Sequence, residues 1–144
     1  MTKPATIDLP CLSASFRRAS RVLTQHYEAA LRPLGLKGTQ FTLLQALSRA
    51  GEVSQGKLAE ILAIDSTTLT RTLTIMDRQG WIAIRSGVDR RERLLSLSKA
   101  GMTQFNRALP YWEKVQQDLR TQFGDKRWNE LFNLANEVTT TVTQ

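Results

Sequence analysis

Cysteine and histidine are nearly missing from this chain of 144 residues, with one of each. A single Cys cannot close an internal disulfide, so no disulfide scaffold exists and a reducing compartment is the natural setting. A structural zinc site draws on about four Cys or His ligands, more than the chain holds. A Ser-His-Asp or Cys-His catalytic arrangement would have only His26 to use. There are no paired carboxylates in a cleft-like setting and no Gly-rich phosphate loop. Nothing in the pattern therefore supports an enzyme, and no cofactor is expected. No run reaches the ~18 apolar residues of a membrane helix. The segment Met1 to Pro10 lacks the apolar core of a secretory signal. The expectation is a cytoplasmic protein with no membrane partner. Acidic residues are also in deficit, with 20 Lys+Arg against 13 Asp+Glu and a net charge of +7.

That excess points to an anionic partner. Its distribution is informative. Residues 1–32 net +3, 33–64 net +1, 65–93 net +2 and 94–144 net +1. There is no basic tail, so an anion-binding surface has to be assembled by folding. The length suits one continuous domain, which buries roughly two-thirds of its unfolded surface.

After a short arm with Pro4 and Pro10, the residues Leu12, Phe16, Ala19, Val22, Leu23, Tyr27, Ala30 and Leu31 recur in steps of three and four. That is one face of a helix, which Pro33 ends. Thr39 is positioned to cap a second helix with Phe41, Leu43, Leu44 and Leu47 inside it, ending at Ala50-Gly51. Glu52-Val53 reads as a single bridging strand. Ser54 caps a third helix over 55–62, with Leu58, Ala59 and Leu62 apolar. Ala63-Ile64 is a turn. Asp65 caps a fourth helix over 66–79, whose Leu69, Leu73 and Met76 face inward, and Gly80 stops it. The period then changes to two: Trp81–Arg85 and Glu92–Leu97 read as a hairpin whose tip is charged. Ser98 caps a fifth helix from about Lys99 to Gln122, which Pro110 should bend. Gly124 ends it, and Asp125 caps a last helix with Trp128, Leu131, Leu134, Ala135 and Val138 on one side.

The fold expected is mainly α with a small β-hairpin wing. It divides into an N-terminal arm and helix (1–37), a winged helix-turn-helix lobe (38–98) and C-terminal helices (99–144). Two short helices with a tight turn and a basic hairpin match what B-DNA accepts: one helix in the major groove and a second behind it to hold its angle. With the inward residues fixed, Ser66, Thr67, Thr68, Thr70, Arg71 and Thr74 are expected to contact DNA, as are Ser54 and Gln55 at the start of the third helix. Short hydroxyl side chains let the helix approach closely, and Arg71 can fork onto a guanine or a phosphate. The wing offers Arg85, Arg90, Arg91 and Arg93 around Asp89. An Arg at a hairpin tip fits a narrow minor groove. Either element alone is more often a solvated surface than a DNA contact. The two together, in this order, are far more specific. A winged-helix protein-interaction module without DNA binding is the alternative of another class, although such modules rarely need four Arg around one turn.

The segment from Asp65 to Leu73 followed by Gly80-Trp81-Ile82 resembles the recognition helix of MarR-type regulators. The run Asp89-Arg90-Arg91-Glu92-Arg93, followed by Leu97-Ser98-Lys99-Ala100-Gly101, resembles their Asp-x-Arg wing and the start of the next helix. The resemblance extends from Leu12 to about Val142. It implies a homodimer that binds a pseudo-palindromic operator in double-stranded DNA, usually as a repressor. It further implies that Asp89 pairs with and orients Arg91, which enters the minor groove. By the same resemblance a small aromatic or phenolic effector releases the DNA from a crevice for which Phe16, Ser20, Leu23, Phe41, Leu44 and Trp112 are the candidates; each is also a plausible core residue. Dimerisation has its own physical argument: helices one, five and six carry apolar stripes that one small lobe cannot cover. Pairing Leu12, Phe16, Trp128, Leu131, Leu134 and Val138 with a second chain covers them; an intramolecular bundle is the alternative. Cys11 precedes the first helix by one residue, near the positive end of its dipole, a position that favours thiolate reactivity. Peroxide-sensing members of the family carry a Cys near this point, supported by tyrosines of the partner chain. Here Tyr27 is available, while Gly38 stands where a second Tyr is expected. A thiol-based peroxide-sensing repressor is thus a second functional reading, and an inert thiol is the bland one. His26 reads as a hydrogen-bonded interface residue.

Overall fold

The computed structural model describes residues 7–142; the first part of the arm, with Lys3 and Pro4, lies outside the described residues. Helix α1 spans Leu12–Leu31 and runs into a 3-10 turn at Arg32–Leu34 around Pro33. Helix α2 (Gly38–Ala50) leads to the short strand β1 (Val53–Ser54) and helix α3 (Gln55–Leu62). Helix α4 (Ser66–Arg78) is followed by the hairpin β2 (Ile82–Ser86) and β3 (Arg93–Leu97). Helices α5 (Lys99–Phe123) and α6 (Asp125–Thr141) complete the chain. Among the described residues no helix is long and apolar enough to cross a membrane.

The strands form an antiparallel sheet of order β1-β3-β2. Val53 sits opposite Leu95, and Ile84 sits opposite the same Leu95 from the other side. The core is built on this register. Leu95 is buried together with Phe41, Leu44 and Leu47 of α2, Leu58 of α3, Leu69, Leu73 and Met76 of α4, and Phe105 and Ala108 of α5. Burial of one such side chain contributes about 1.5–3 kcal/mol, so the lobe is held chiefly by this cluster. Helix α5 continues beyond it and packs against α1 and α6.

Helix ends explain where the elements stop. Ser54 Oγ accepts from the Lys57 N–H (3.1 Å), Asp65 from the Thr68 N–H (3.0 Å) and Ser98 from the Gly101 N–H (3.0 Å), the three caps expected. Two others differ. Helix α2 starts one residue before Thr39, because Glu28 on α1 accepts from the Gly38 N–H (3.1 Å) and Gln40 Oε1 accepts from the Lys37 N–H (3.1 Å). With those first-turn donors satisfied by longer side chains, no hydroxyl cap is needed. Asp125 is the first residue of α6 rather than its cap; Gly124 takes the cap position, and Asp125 pairs with Arg120 (2.8 Å) across the turn. Trp81 and Glu92 fall just outside the strands. Trp81 belongs instead to the closure of α4: with Gly80 at φ +75°, its N–H reaches Met76 O (3.0 Å) while the Gly80 N–H reaches Asp77 O (2.9 Å). That is a Schellman motif. The same pattern ends α3 at Ala63, a non-glycine residue at φ +52°, and makes the turn into α4 tight.

Candidate nucleic-acid interface

Helix α4 is two-sided. Leu69, Leu73 and Met76 are buried, while Ser66, Thr67, Thr70, Arg71 and Thr74 are exposed along one open groove on the opposite side. Two further residues line that groove, Ile75 and Arg78. The sequence reading missed both, although they follow Arg71 by four and seven positions, the stride of a helix face.

The polar side chains differ in what they leave free. Thr68 spends its hydroxyl on Asp65, and both its hydroxyl and its N–H hold that carboxyl below the ordinary aspartate range. Thr74 donates to Thr70 O (2.8 Å), which leaves its oxygen lone pairs outward. Gln55 is half-buried between the two helices: its Nε2 donates to Thr70 Oγ1 (3.1 Å), and its Oε1 is buried without a partner. Gln55 therefore braces the groove-facing helix against α3. Ser54 is committed to capping α3.

The wing tip is a closed turn, with Gly87 N–H to Glu92 O (2.8 Å) and Glu92 N–H to Asp89 O (2.9 Å). Asp89 acts on Arg91, but through the main chain: its Oδ1 accepts from the Arg91 N–H (3.0 Å). A carboxylate in this position fixes the backbone of the turn and so the direction in which the Arg91 side chain leaves it. Arg90, Arg91 and Arg93 are exposed. Arg85 is not free. Its Nε donates to Glu52 (2.7 Å) in a two-point contact that spans β3, from the residue before β1 to β2. This contact holds the Glu52 carboxyl below the ordinary glutamate range and raises the Arg85 guanidinium further. The expectation of four available wing arginines therefore becomes three, because the fourth is spent clasping the edge strands together.

Away from this surface, α1 and α6 leave apolar side chains uncovered. Leu12 is 67% exposed, Leu131 44% and Leu134 54%; Phe16 is exposed, and Trp128 and Val138 are partly covered. Helix α6 buries none of its residues fully. Of the effector candidates, Phe41 and Leu44 are buried in the core, Phe16, Ser20 and Leu23 are exposed on α1, and Trp112 is half-buried with its ring 6.0 Å from Phe41. Cys11 is free and exposed at the cap position of α1, making no capping hydrogen bond. Tyr27 donates its hydroxyl to Gln116 of α5, and burial raises its pKa. His26 is exposed.

A model of the MarR family matches residues 34–92, the span from the end of the 3-10 turn through the wing. The crystal structure of the transcriptional regulator MosR of M. tuberculosis in complex with DNA has 32% identity to this chain and a TM-score of 0.79, covering 92% of this chain and 99% of that one. The chain belongs to the MarR family. It is a DNA-binding transcriptional regulator with a winged helix fold. Within the family it is also similar to the uncharacterized HTH-type transcriptional regulator YwoH of Bacillus subtilis (strain 168), with 27% identity over 109 residues, 76% of this chain and 80% of that protein. The structure of NadR in complex with 4-hydroxyphenylacetate shares the fold at 17% identity and a TM-score of 0.78, over 96% of this chain and 99% of that one. In MarR-family terms α4 is the recognition helix, and β2–β3 is the wing.

Proposed function

We propose that this protein is a homodimeric repressor of the cytoplasm that reads a pseudo-palindromic operator and releases it on binding a small aromatic or phenolic effector. The observation that carries the reading is the recognition helix. Its apolar side is anchored in the core, its opposite side is an open row of hydroxyls and arginines, and the arginine wing lies next to it in the chain. Ser66, Thr67, Thr70, Arg71 and Thr74 meet base edges and phosphates of the major groove, and Arg91, flanked by Arg90 and Arg93, enters the minor groove. Helices α1, α5 and α6 form the dimerisation unit. Its support is the uncovered apolar surface of Leu12, Phe16, Leu131 and Leu134, which a second copy would bury. Two-fold pairing sets two recognition helices about 34–36 Å apart, one DNA turn. The effector reading draws support from NadR, solved with a phenolic acid.

Titrating the purified protein into its own upstream DNA and into random DNA, at several salt concentrations, tests the reading. Specific binding that weakens steeply with salt and is reversed by phenolic acids is expected. Equal affinity for both DNAs would sink it. An arm with hydroperoxide in place of the phenol tests the thiol reading, which the exposed, uncapped Cys11 favours. Release that Cys11→Ser abolishes would make this protein a peroxide sensor.

A further inference from the structure

One residue on the recognition face is explained neither by packing nor by charge. Ile75 is 43% exposed, on a side of α4 turned away from the buried Leu69, Leu73 and Met76. It shares a groove with Arg71 and Arg78. Those two are four residues before it and three after it, so the three side chains stand in one strip about 10 Å long. Among the described residues neither guanidinium takes part in a hydrogen bond or ion pair. The strip is therefore a rigid aliphatic surface held between two free cations. The β-branch of isoleucine leaves essentially one χ1 rotamer in a helix, so its γ carbons are fixed in position. Dimerisation does not account for Ile75. Helix α4 packs on α2, α3 and β2, whereas the exposed apolar side chains assigned to the dimerisation unit, such as Leu12, Phe16, Leu131 and Leu134, lie on α1 and α6.

In the major groove only thymine presents a methyl group; apart from the small C5–H edge of cytosine, the features that distinguish the bases are hydrogen-bond donors and acceptors. An aliphatic side chain set against one of those would leave it desolvated and unpaired, which is unfavourable. We infer that Ile75 is a specificity-determining residue that packs on the 5-methyl group of one thymine in each half-site. Arg71 and Arg78 hold the strip against the flanking phosphates or guanines. This rests on the DNA-reading function proposed above.

The experiment is a thymine-to-deoxyuridine scan of an operator selected from random DNA by the wild-type dimer. Uracil keeps the hydrogen-bonding edge of thymine and loses only the methyl. One symmetric pair of positions should weaken binding about 4-fold per half-site and about 15-fold together. Ile75→Ala should lose at least as much on the intact operator, become indifferent to deoxyuridine at that one position, and keep its affinity for random DNA and its salt dependence. The scan on wild-type protein does not depend on how the variant folds. An operator on which no thymine is sensitive overturns the inference, as does a deoxyuridine penalty that persists in Ile75→Ala. Either result leaves the regulator reading intact. Wild-type protein that selects no sequence at all fails both.

Discussion

Gly101, in the first turn of α5, is the glycine with the least room for a side chain among the described residues. A Cβ there would lie 1.9 Å from the Trp81 carbonyl oxygen and 2.8 Å from its carbon. An ordinary carbon–oxygen approach is about 3.3 Å, so Gly101→Ala has to open roughly 1.4 Å between α5 and the backbone following Gly80. That backbone cannot yield cheaply. Trp81 O accepts from the Ser98 N–H (3.0 Å), Ser98 Oγ donates to Gly80 O (2.5 Å), and the Trp81 N–H closes the end of α4 on Met76 O (3.0 Å). Overpacking of a core costs typically 1–3 kcal/mol, and each hydrogen bond stretched beyond use adds about 1 kcal/mol. The expected loss is about 3–5 kcal/mol, a large part of the ~5–15 kcal/mol of a native domain. With an unfolding entropy near 0.3 kcal/mol/K for this length, Tm falls by about 10–17 °C. Ala100→Gly, one residue away and exposed, is the control; it should cost no more than about 1 kcal/mol, or roughly 3 °C. Thermal and urea unfolding of the three proteins measures both. A Gly101→Ala variant melting within about 3 °C of wild type would refute the steric reasoning.

Arg91→Ala should leave Tm unchanged, weaken operator binding at least tenfold, and reduce the slope of log K against log salt by nearly 2 for the dimer, one phosphate equivalent per wing; an unchanged slope and affinity would remove Arg91 from the interface. Leu131→Glu combined with Leu134→Glu places two charges on the exposed apolar side of α6 and should yield folded monomers in sedimentation, with operator binding lost; a dimer that survives both would mean another surface pairs. Glu52 has a carboxyl depressed by Arg85, so the clasp contributes fully above the ordinary carboxylate range and is lost as pH falls through the lowered pKa. Glu52→Gln should therefore be less stable than wild type near neutrality, with the gap closing between about pH 5 and pH 3; a gap constant over that window, in urea titrations, would exclude the clasp.

What the sequence made legible was local. The caps Ser54, Asp65 and Ser98, the stop at Gly80 and the inward set Leu69, Leu73 and Met76 follow from residue type and spacing within one turn of helix. Two of the misplacements came from partners outside the local segment. Thr39 lost its capping role because Glu28, ten residues upstream, reaches the Gly38 N–H. Arg85 left the wing because Glu52, thirty-three residues upstream, lies beside it once β3 is inserted between β1 and β2. No periodicity encodes either meeting. The motif Leu97-Ser98-Lys99-Ala100-Gly101 was legible as a pattern but not as a reason; the reason is the approach of Trp81 O, visible only when α5 is laid against the end of α4. Ile75 carries no signal in the sequence, because a single apolar residue on a polar face contributes nothing to a hydrophobic stripe.

Pairing between distant residues also divides the net charge unequally. The +7 of the chain is an aggregate, and its components are unequal in what they can offer DNA. Arg85 is neutralised by Glu52, Arg120 by Asp125 and Lys57 in part by Glu60. The acids within the reading region do not simply subtract from its charge. Asp65 accepts from the first turn of the recognition helix, and Asp89 fixes the backbone of the wing tip. Both place a negative group where it satisfies a local N–H donor, and so set the direction of a neighbouring element that carries free arginines. Arg71 and Arg78 on the helix, with Arg90, Arg91 and Arg93 on the wing, are then a small number of exposed cations carried on two ordered elements rather than a diffuse basic coat. A diffuse coat would raise affinity for every DNA sequence alike, since phosphate attraction is blind to bases. A reading head of modest charge, directed by its own carboxylates, leaves more of the discrimination to base contacts, which is the division of labour that a regulator selecting one operator among many sites requires.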